Sequence, residues 1–68
     1  MHLLYAQKQL ADVKAIQEDD EMAHSKEDFF HHEVLRAIAN DECQDCSPKD
    51  LAAVAIKTLD LKFSRWMA

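Results

Sequence analysis

The residues of this chain best suited to chemistry are two cysteines and a group of histidines near its middle. Cys43 and Cys46 are three positions apart, and two thiolates at this spacing can bind one zinc ion. The other ligands would be His31 and His32, which a predicted helix separates from the cysteines by roughly 20 Å at 1.5 Å per residue. The two groups cannot easily meet within one chain, although they can meet between the antiparallel chains of a dimer. We therefore favour two ordinary thiols in a loop, and keep a zinc-stabilised domain as an alternative.

The histidines also form a candidate metal site together with an aspartate. If the predicted second helix extends back past Ser25, then His24, Asp28, His31 and His32 lie within an arc of about 100° on its surface. Such a spacing suits a divalent metal. Ser25 is, however, a candidate N-cap, which would direct His24 away from the others, and His31 falls on the apolar side of the helix. We expect structural or surface roles for these residues, and no cofactor.

The sequence lacks groupings that would support catalysis. The acidic run at residues 18–21 is similar to one of the paired carboxylate motifs with which helical nucleotide pyrophosphohydrolases bind magnesium, but a second motif is absent. Because the chain contains no glycine, a glycine-rich phosphate loop and a dinucleotide-binding fingerprint are also excluded. We predict that the protein is not an enzyme and that the acidic run is a solvated surface.

The composition predicts an all-α fold. The chain has 68 residues, no glycine and one proline. Tight β-turns need residues with positive φ, usually glycine, so its absence favours helices and leaves only Asn40 and the aspartates for left-handed caps. A chain of this length buries only about 60% of its unfolded surface, and domains of this size often depend on dimerisation or a metal.

Apolar periodicity predicts three helices, at about residues 2–18, 26–40 and 48–66, which form a small three-helix bundle. The second helix starts with a capping box at Ser25 and Asp28, and the third starts with Ser47, Pro48 and Asp50. The first helix has no recognisable N-cap. The stripe expected to be buried in the first helix consists of Leu3, Ala6, Leu10, Val13 and Gln17. In the second helix it consists of Phe30, Val34 and Ile38, with Leu35 and Ala37 at its flanks.

The third predicted helix has apolar residues on two sides. A pair formed by Val54 and Leu61 lies at about 180–200° from Ala52 on the main stripe. Because a chain this short cannot easily cover both sides, we expect a second chain to cover one of them, and we predict a homodimer. Phe29, on the second helix, also lies away from the buried stripe, which indicates a further contact surface. The main stripe of the third helix consists of Ala52, Ile56, Leu59, Phe63 and Trp66.

Charge is distributed unevenly along the sequence. The net charge is −5; residues 1–47 carry 11 acids and 4 bases (−7), and residues 48–68 carry 2 acids and 4 bases (+2). The acidic body argues against non-specific binding to nucleic acid or to anionic membranes. On the third helix, Lys57 and Arg65 accompany the pair Val54 and Leu61. We expect this mixed apolar and cationic face to bind an acidic helix, such as residues 18–28 of a second copy.

These patterns favour a small acidic protein–protein interaction module that acts without catalysis, as an adaptor, regulator or inhibitor of a larger protein. A DNA-binding regulator that uses helix 48–66 is an alternative, although the connector before that helix is long and contains three acids. With no signal peptide and no apolar run of about 20 residues, we expect a soluble cytoplasmic protein. The predicted partner-binding residues are Val54, Leu61, Lys57, Arg65, Trp66 and Phe29.

Overall fold

The protein is a small all-α bundle of three helices, as its composition predicts. The computed structural model describes residues 1–65. The helices α1 (Leu3–Ala15), α2 (Asp20–Ala39) and α3 (Pro48–Ile56) pack against one another, and a 3₁₀ helix (Lys57–Asp60) continues α3. None of these helices combines the length and the hydropathy that a membrane span requires.

The N-terminus of α1 is capped by a residue far away in sequence. His2, at the N-cap position, makes no side-chain hydrogen bond to the helix. Instead, the backbone N–H of Leu3 donates to Oδ1 of Asp45, at 2.8 Å. This hydrogen bond is the main reason why the pKa of the Asp45 carboxyl lies below its usual value. The connector between α2 and α3 thus supplies the cap that the local sequence lacks.

Helix α2 begins at Asp20, six residues before the predicted start at residue 26. Asp19 is its N-cap, and one carboxylate oxygen of Asp19 accepts the backbone N–H of Met22 at 3.1 Å. Asp20 and Glu21 occupy the first turn, where the helix dipole stabilises negative charge. The prediction that Ser25 caps this helix is wrong, because the acidic run starts the helix and Ser25 lies within it.

The end of α2 confirms that an aspartate takes over the left-handed position that glycine usually occupies. Asp41 has a φ of 56°. The backbone N–H of Glu42 donates to the carbonyl of Ala37 at 2.7 Å, and that of Asp41 to the carbonyl of Ile38 at 3.3 Å. These two bonds form a Schellman motif, which satisfies two carbonyls at the helix end.

Helix α3 starts where the sequence predicts and ends ten residues early. Ser47 and Asp50 form a complete capping box, with Oγ and Oδ2 each accepting a backbone N–H at 3.1 and 3.0 Å. The α-helix ends at Ile56, and Leu61, after the 3₁₀ helix, is extended. The predicted helix over residues 48–66 is therefore wrong beyond this point.

The core is built mainly from small side chains, and Phe30 and Leu51 are the largest that are completely buried. On α3, the buried face carries Leu51, Val54 and Ala55, and Thr58 continues it. Of the stripe predicted to be buried on this helix, Ala52, Ile56 and Leu59 are instead exposed and Phe63 is partly buried. The buried hydrophobic residues within the described chain are Ala6, Val13, Ala23, Phe30, Val34, Ala37, Leu51, Val54 and Ala55.

Candidate interaction surface

The predicted partner-binding residues do not form one surface. Val54 is only 6% exposed and belongs to the core, so its prediction as an outer contact residue is wrong. Leu61 lies after the helical segment and is half-buried, whereas Lys57 is exposed. Phe29, on α2, has 61% of its surface exposed, as its position off the buried stripe predicts. Trp66 lies outside the described residues.

Arg65 is not a free surface cation, because it forms an ion pair with Glu27 of α2. The guanidinium donates two hydrogen bonds to this carboxylate: Nε to Oε1 at 2.8 Å and Nη2 to Oε2 at 3.1 Å. The Glu27 side chain is 4% exposed and that of Arg65 is 30% exposed. Such a bidentate geometry gives one of the stronger hydrogen-bonded ion pairs in proteins.

The surroundings of Arg65 explain why the C-terminal segment folds back on the bundle. Its Nη2 also donates to the carbonyls of Thr58, at 2.7 Å, and of Leu61, at 3.3 Å. Carbonyls at a helix end lack partners within the helix, so Arg65 acts as a cap for the segment that continues α3. The guanidinium also lies 4.0 Å from the centroid of the Phe63 ring.

The pKa of Glu27 reflects this pairing. Burial of the carboxyl would by itself raise its pKa, but the hydrogen bonds and positive charge of Arg65 outweigh burial and hold the pKa below its usual value. The carboxylate therefore stays ionised inside the bundle. The ion pair thereby positions the C-terminal segment against α2.

His31, one of the candidate metal ligands, is bound to the 3₁₀ helix. Its Nε2 lies 3.0 Å from the carbonyl of Ala55 and 2.8 Å from Oγ1 of Thr58. Because a carbonyl can only accept, Nε2 carries a proton and donates. The Thr58 hydroxyl itself donates to the Ala55 carbonyl at 3.0 Å. The imidazole nitrogen that faces α3 is thus occupied by hydrogen bonds to the protein.

The other candidate metal ligands are dispersed. His24 Nε2 lies 3.9 Å from Oδ1 of Asp28, one turn later on α2, while His32 is exposed. Cys43 and Cys46 are free thiols that are partly buried against the core. Burial is the main reason why the pKa of Cys46 lies above its usual value. Across residues 1–65, no three His, Cys, Asp or Glu side chains are arranged to hold a metal ion.

An apolar groove lies between α2 and α3. It has a volume of about 230 Å³. Leu35 contributes from α2, Ile56 from α3 and Leu59 from the 3₁₀ helix, and they remain 62%, 62% and 54% exposed. We call this feature the α2–α3 groove, and its walls are formed by His31, Val34, Leu35, Ile38, Ala52, Ala55, Ile56 and Leu59.

A second, polar cleft lies beside the N-terminus. Tyr5 and Glu33 contribute to its wall, together with Arg36. The Tyr5 hydroxyl donates to Oε2 of Glu33 at 2.8 Å, and this hydrogen bond is the first cause of the raised pKa of Tyr5. The polar groups of this cleft are thus partly satisfied by each other.

The predictions from sequence do not single out Glu27 and Thr58, which belong to the polar cluster around Arg65. They also place Leu35 away from any contact surface. Glu27 precedes Phe30 and Val34 by three and seven positions, so an acid on the apolar stripe was a visible sign of a buried ion pair. The sequence position of Thr58 gives no comparable indication that its side chain is buried. Leu35 was assigned to the flank of the buried stripe, but it forms a groove wall.

The α2–α3 groove is therefore the surface of the described chain where large aliphatic side chains from different helices remain exposed together. The polar cluster around Arg65 is satisfied internally, and the histidines and cysteines are apart. In comparisons with known proteins, neither a family model nor a curated protein nor a solved structure matches the chain.

Proposed function

We propose that this chain is a non-catalytic protein–protein interaction module, an adaptor, regulator or inhibitor of a larger cytoplasmic protein. The observation that carries the proposal is the joint exposure of Leu35, Ile56 and Leu59 along the α2–α3 groove. Each of these large aliphatic side chains keeps more than half of its surface exposed. Exposed apolar patches formed by several neighbouring side chains often mark binding sites.

The proposed contact surface differs from the one predicted from sequence. The proposed contact residues are Leu35, Ile56 and Leu59. Val54 is not among them, because it packs in the core. Homodimerisation stays a prediction, but burial of Val54 within one chain removes its original reason. A dimer would now have to use the groove or the exposed Phe29 surface.

A DNA-binding function has less support. That alternative uses the predicted helix over residues 48–66, but the α-helix ends at Ile56 and Arg65 is paired with Glu27. A zinc-stabilised domain also has less support, because His31 already donates to Ala55. Both would be tested directly, by salt-dependent retention on duplex DNA and by metal analysis of untagged protein.

Site-specific photo-crosslinking tests the proposed function. A photoreactive phenylalanine derivative is introduced at Leu35 in the groove, and in a matched variant at Lys8, an exposed residue of α1. We expect irradiation in the native cell to link a defined protein to position 35 and not to position 8. Mass spectrometry then identifies this protein for binding measurements with purified components.

The identified protein must also depend on the groove for binding. We expect Leu35→Asp to weaken its binding at least tenfold, because a charge would be placed in an apolar contact. Leu4→Asp, at an exposed leucine of α1 outside the groove, serves as the control, and circular dichroism verifies that both variants are helical. Equal crosslinking at positions 8 and 35, or unchanged binding by Leu35→Asp, would refute the proposal.

A further inference from the structure

We propose that the α2–α3 groove binds one basic amphipathic helix of another protein. This inference rests on the interaction function proposed above and adds the class of partner. It follows from the size of the groove, from the exposed acids beside it, and from the small apolar area available.

The size and lining of the groove fit side chains of a protein. Its volume of about 230 Å³ is below the range of about 300–1,000 Å³ typical of small-molecule sites. The exposed walls are aliphatic, with Leu35 on one side and Ile56 and Leu59 on the other. An amphipathic helix fills such a groove with apolar residues at positions i, i+3, i+4 and i+7.

The charges around the groove favour a basic partner. Asp28 lies two helical turns before Leu35 and its side chain is 63% exposed, and Asp60, also exposed, directly follows Leu59. The exposed Lys57, also on the 3₁₀ helix, offsets one of these two charges.

A second copy of this chain fits the groove less well. Each copy carries a net charge of −5, so two copies repel each other. The groove also offers only three large exposed aliphatic side chains, whereas a stable interface buries about 800 Å² on each partner. A single helix needs less surface than a domain, and basic side chains on its flanks would add contacts with Asp28 and Asp60.

Designed peptides test the charge preference. Three synthetic peptides of about 18 residues are compared: one with leucines at i, i+3, i+4 and i+7 and lysines on the flanks, a twin with glutamates in place of the lysines, and one with the lysine composition but no leucine stripe. Fluorescence anisotropy measures their affinity for the full chain. We expect the basic striped peptide to bind at least tenfold more tightly than either of the others.

Variants of the chain locate the binding site. Leu35→Asp should weaken binding of the basic peptide at least tenfold, and Leu4→Asp, at an exposed leucine of α1, by less than about twofold. The double variant Asp28→Asn, Asp60→Asn should weaken it several-fold, at about threefold per charge. Glu18→Gln, Glu21→Gln removes the same charge elsewhere and should have a smaller effect.

The outcomes separate this inference from the proposed function. Equal affinity for the basic and acidic striped peptides would overturn the basic partner, while weaker binding of the crosslinked cellular protein by Leu35→Asp would still uphold the interaction function. Binding that Leu35→Asp leaves unchanged would overturn the groove as the site. A dimeric mass in light scattering that Leu35→Asp converts to a monomeric one would assign the groove to a second copy and overturn the inference.

Discussion

The two halves of α2 differ in how the rest of the chain covers them. Along the N-terminal half, residues 61–65 pack against the helix: the backbone N–H of Ser64 donates to Oδ1 of Asp20 at 3.0 Å, and Arg65 pairs with Glu27. Along the C-terminal half, Leu35 borders the α2–α3 groove and remains 62% exposed. The described C-terminal residues thus cover the face of the N-terminal half that carries Asp20 and Glu27, whereas Phe29 in the same half stays exposed, and they leave the groove open.

This difference separates stability from recognition. A buried carboxylate such as Glu27 destabilises the fold when its partner is removed, because an unpaired buried charge has a high free-energy cost. Leu35, in contrast, is an exposed apolar side chain, so its replacement does not leave a buried charge without a partner. We therefore expect substitutions in the covered half to affect folding, and substitutions in the open half to affect binding.

The largest effect is expected from Arg65→Ala, which tests the covered half. This substitution leaves the buried Glu27 carboxylate without its cationic partner and removes the cap from the carbonyls of Thr58 and Leu61. We expect the free energy of unfolding to fall by about 3 kcal/mol, the lower end of the range for buried ion pairs, because Arg65 is partly exposed. Urea unfolding followed by circular dichroism measures the change.

Lys57→Ala is the matched control for Arg65→Ala. Lys57 is an exposed cation of the 3₁₀ helix, so its removal should change stability by less than about 0.5 kcal/mol. If both variants unfold at the same urea concentration, the ion pair does not hold the C-terminal segment, and the contrast between the two halves of α2 disappears.

The next effect compares two neighbouring positions of α3. Val54 is 6% exposed and Ile56 is 62% exposed. Val54→Ala should cost about 2 kcal/mol, because it removes buried methyl groups and leaves a cavity, while Ile56→Ala should cost less than about 1 kcal/mol. Differential scanning calorimetry can compare the two. The reverse order would mean that α3 faces the core with the stripe predicted from sequence.

The number of helices and much of their capping could be predicted from the sequence, because these features depend on local interactions. The buried stripe of α1, the capping box at Ser47 and the left-handed aspartate at the end of α2 follow from such interactions. The predicted start of α2 lies too late because the sequence pattern at Ser25 and Asp28 matches a capping box, while the acids at residues 18–21 are interpreted only as a solvated surface. At an N-terminus the same acids are stabilised by the helix dipole.

The face and length of α3 could not be obtained in this way. Extending the helix to residue 66 added Phe63 and Trp66 to the stripe of Ile56 and thereby favoured the wrong side. The actual end of the helix involves Arg65, which contacts Glu27 across 38 positions of sequence. The groove was missed for the same reason, since Ile56 and Leu59 become exposed only when Leu51 and Val54 face the core.

A smaller effect is expected at the helix caps, and it tests where the covered half of α2 begins. Asp19→Ala removes the N-cap of α2 and should lower stability by about 1 kcal/mol, as Ser47→Ala should for α3. Ser25→Ala, inside α2, should leave stability unchanged or raise it slightly, because alanine has the higher helix propensity. Chemical denaturation of the three variants provides the comparison. A loss in Ser25→Ala without a loss in Asp19→Ala would restore the start of the helix near residue 26.

The smallest effect concerns the pH dependence of the ion pair in the covered half. The pKa of Glu27 is lowered in the folded protein, so the carboxylate contributes stability above its unfolded pKa of about 4.3. That contribution is lost as the pH falls through the folded pKa. The difference in unfolding free energy between the wild type and Glu27→Gln should therefore be largest near neutral pH and shrink below about pH 4. Urea titrations at several pH values measure this difference, with Glu18→Gln as an exposed control. A difference that grows on acidification would mean that burial, and not Arg65, governs the ionisation of Glu27.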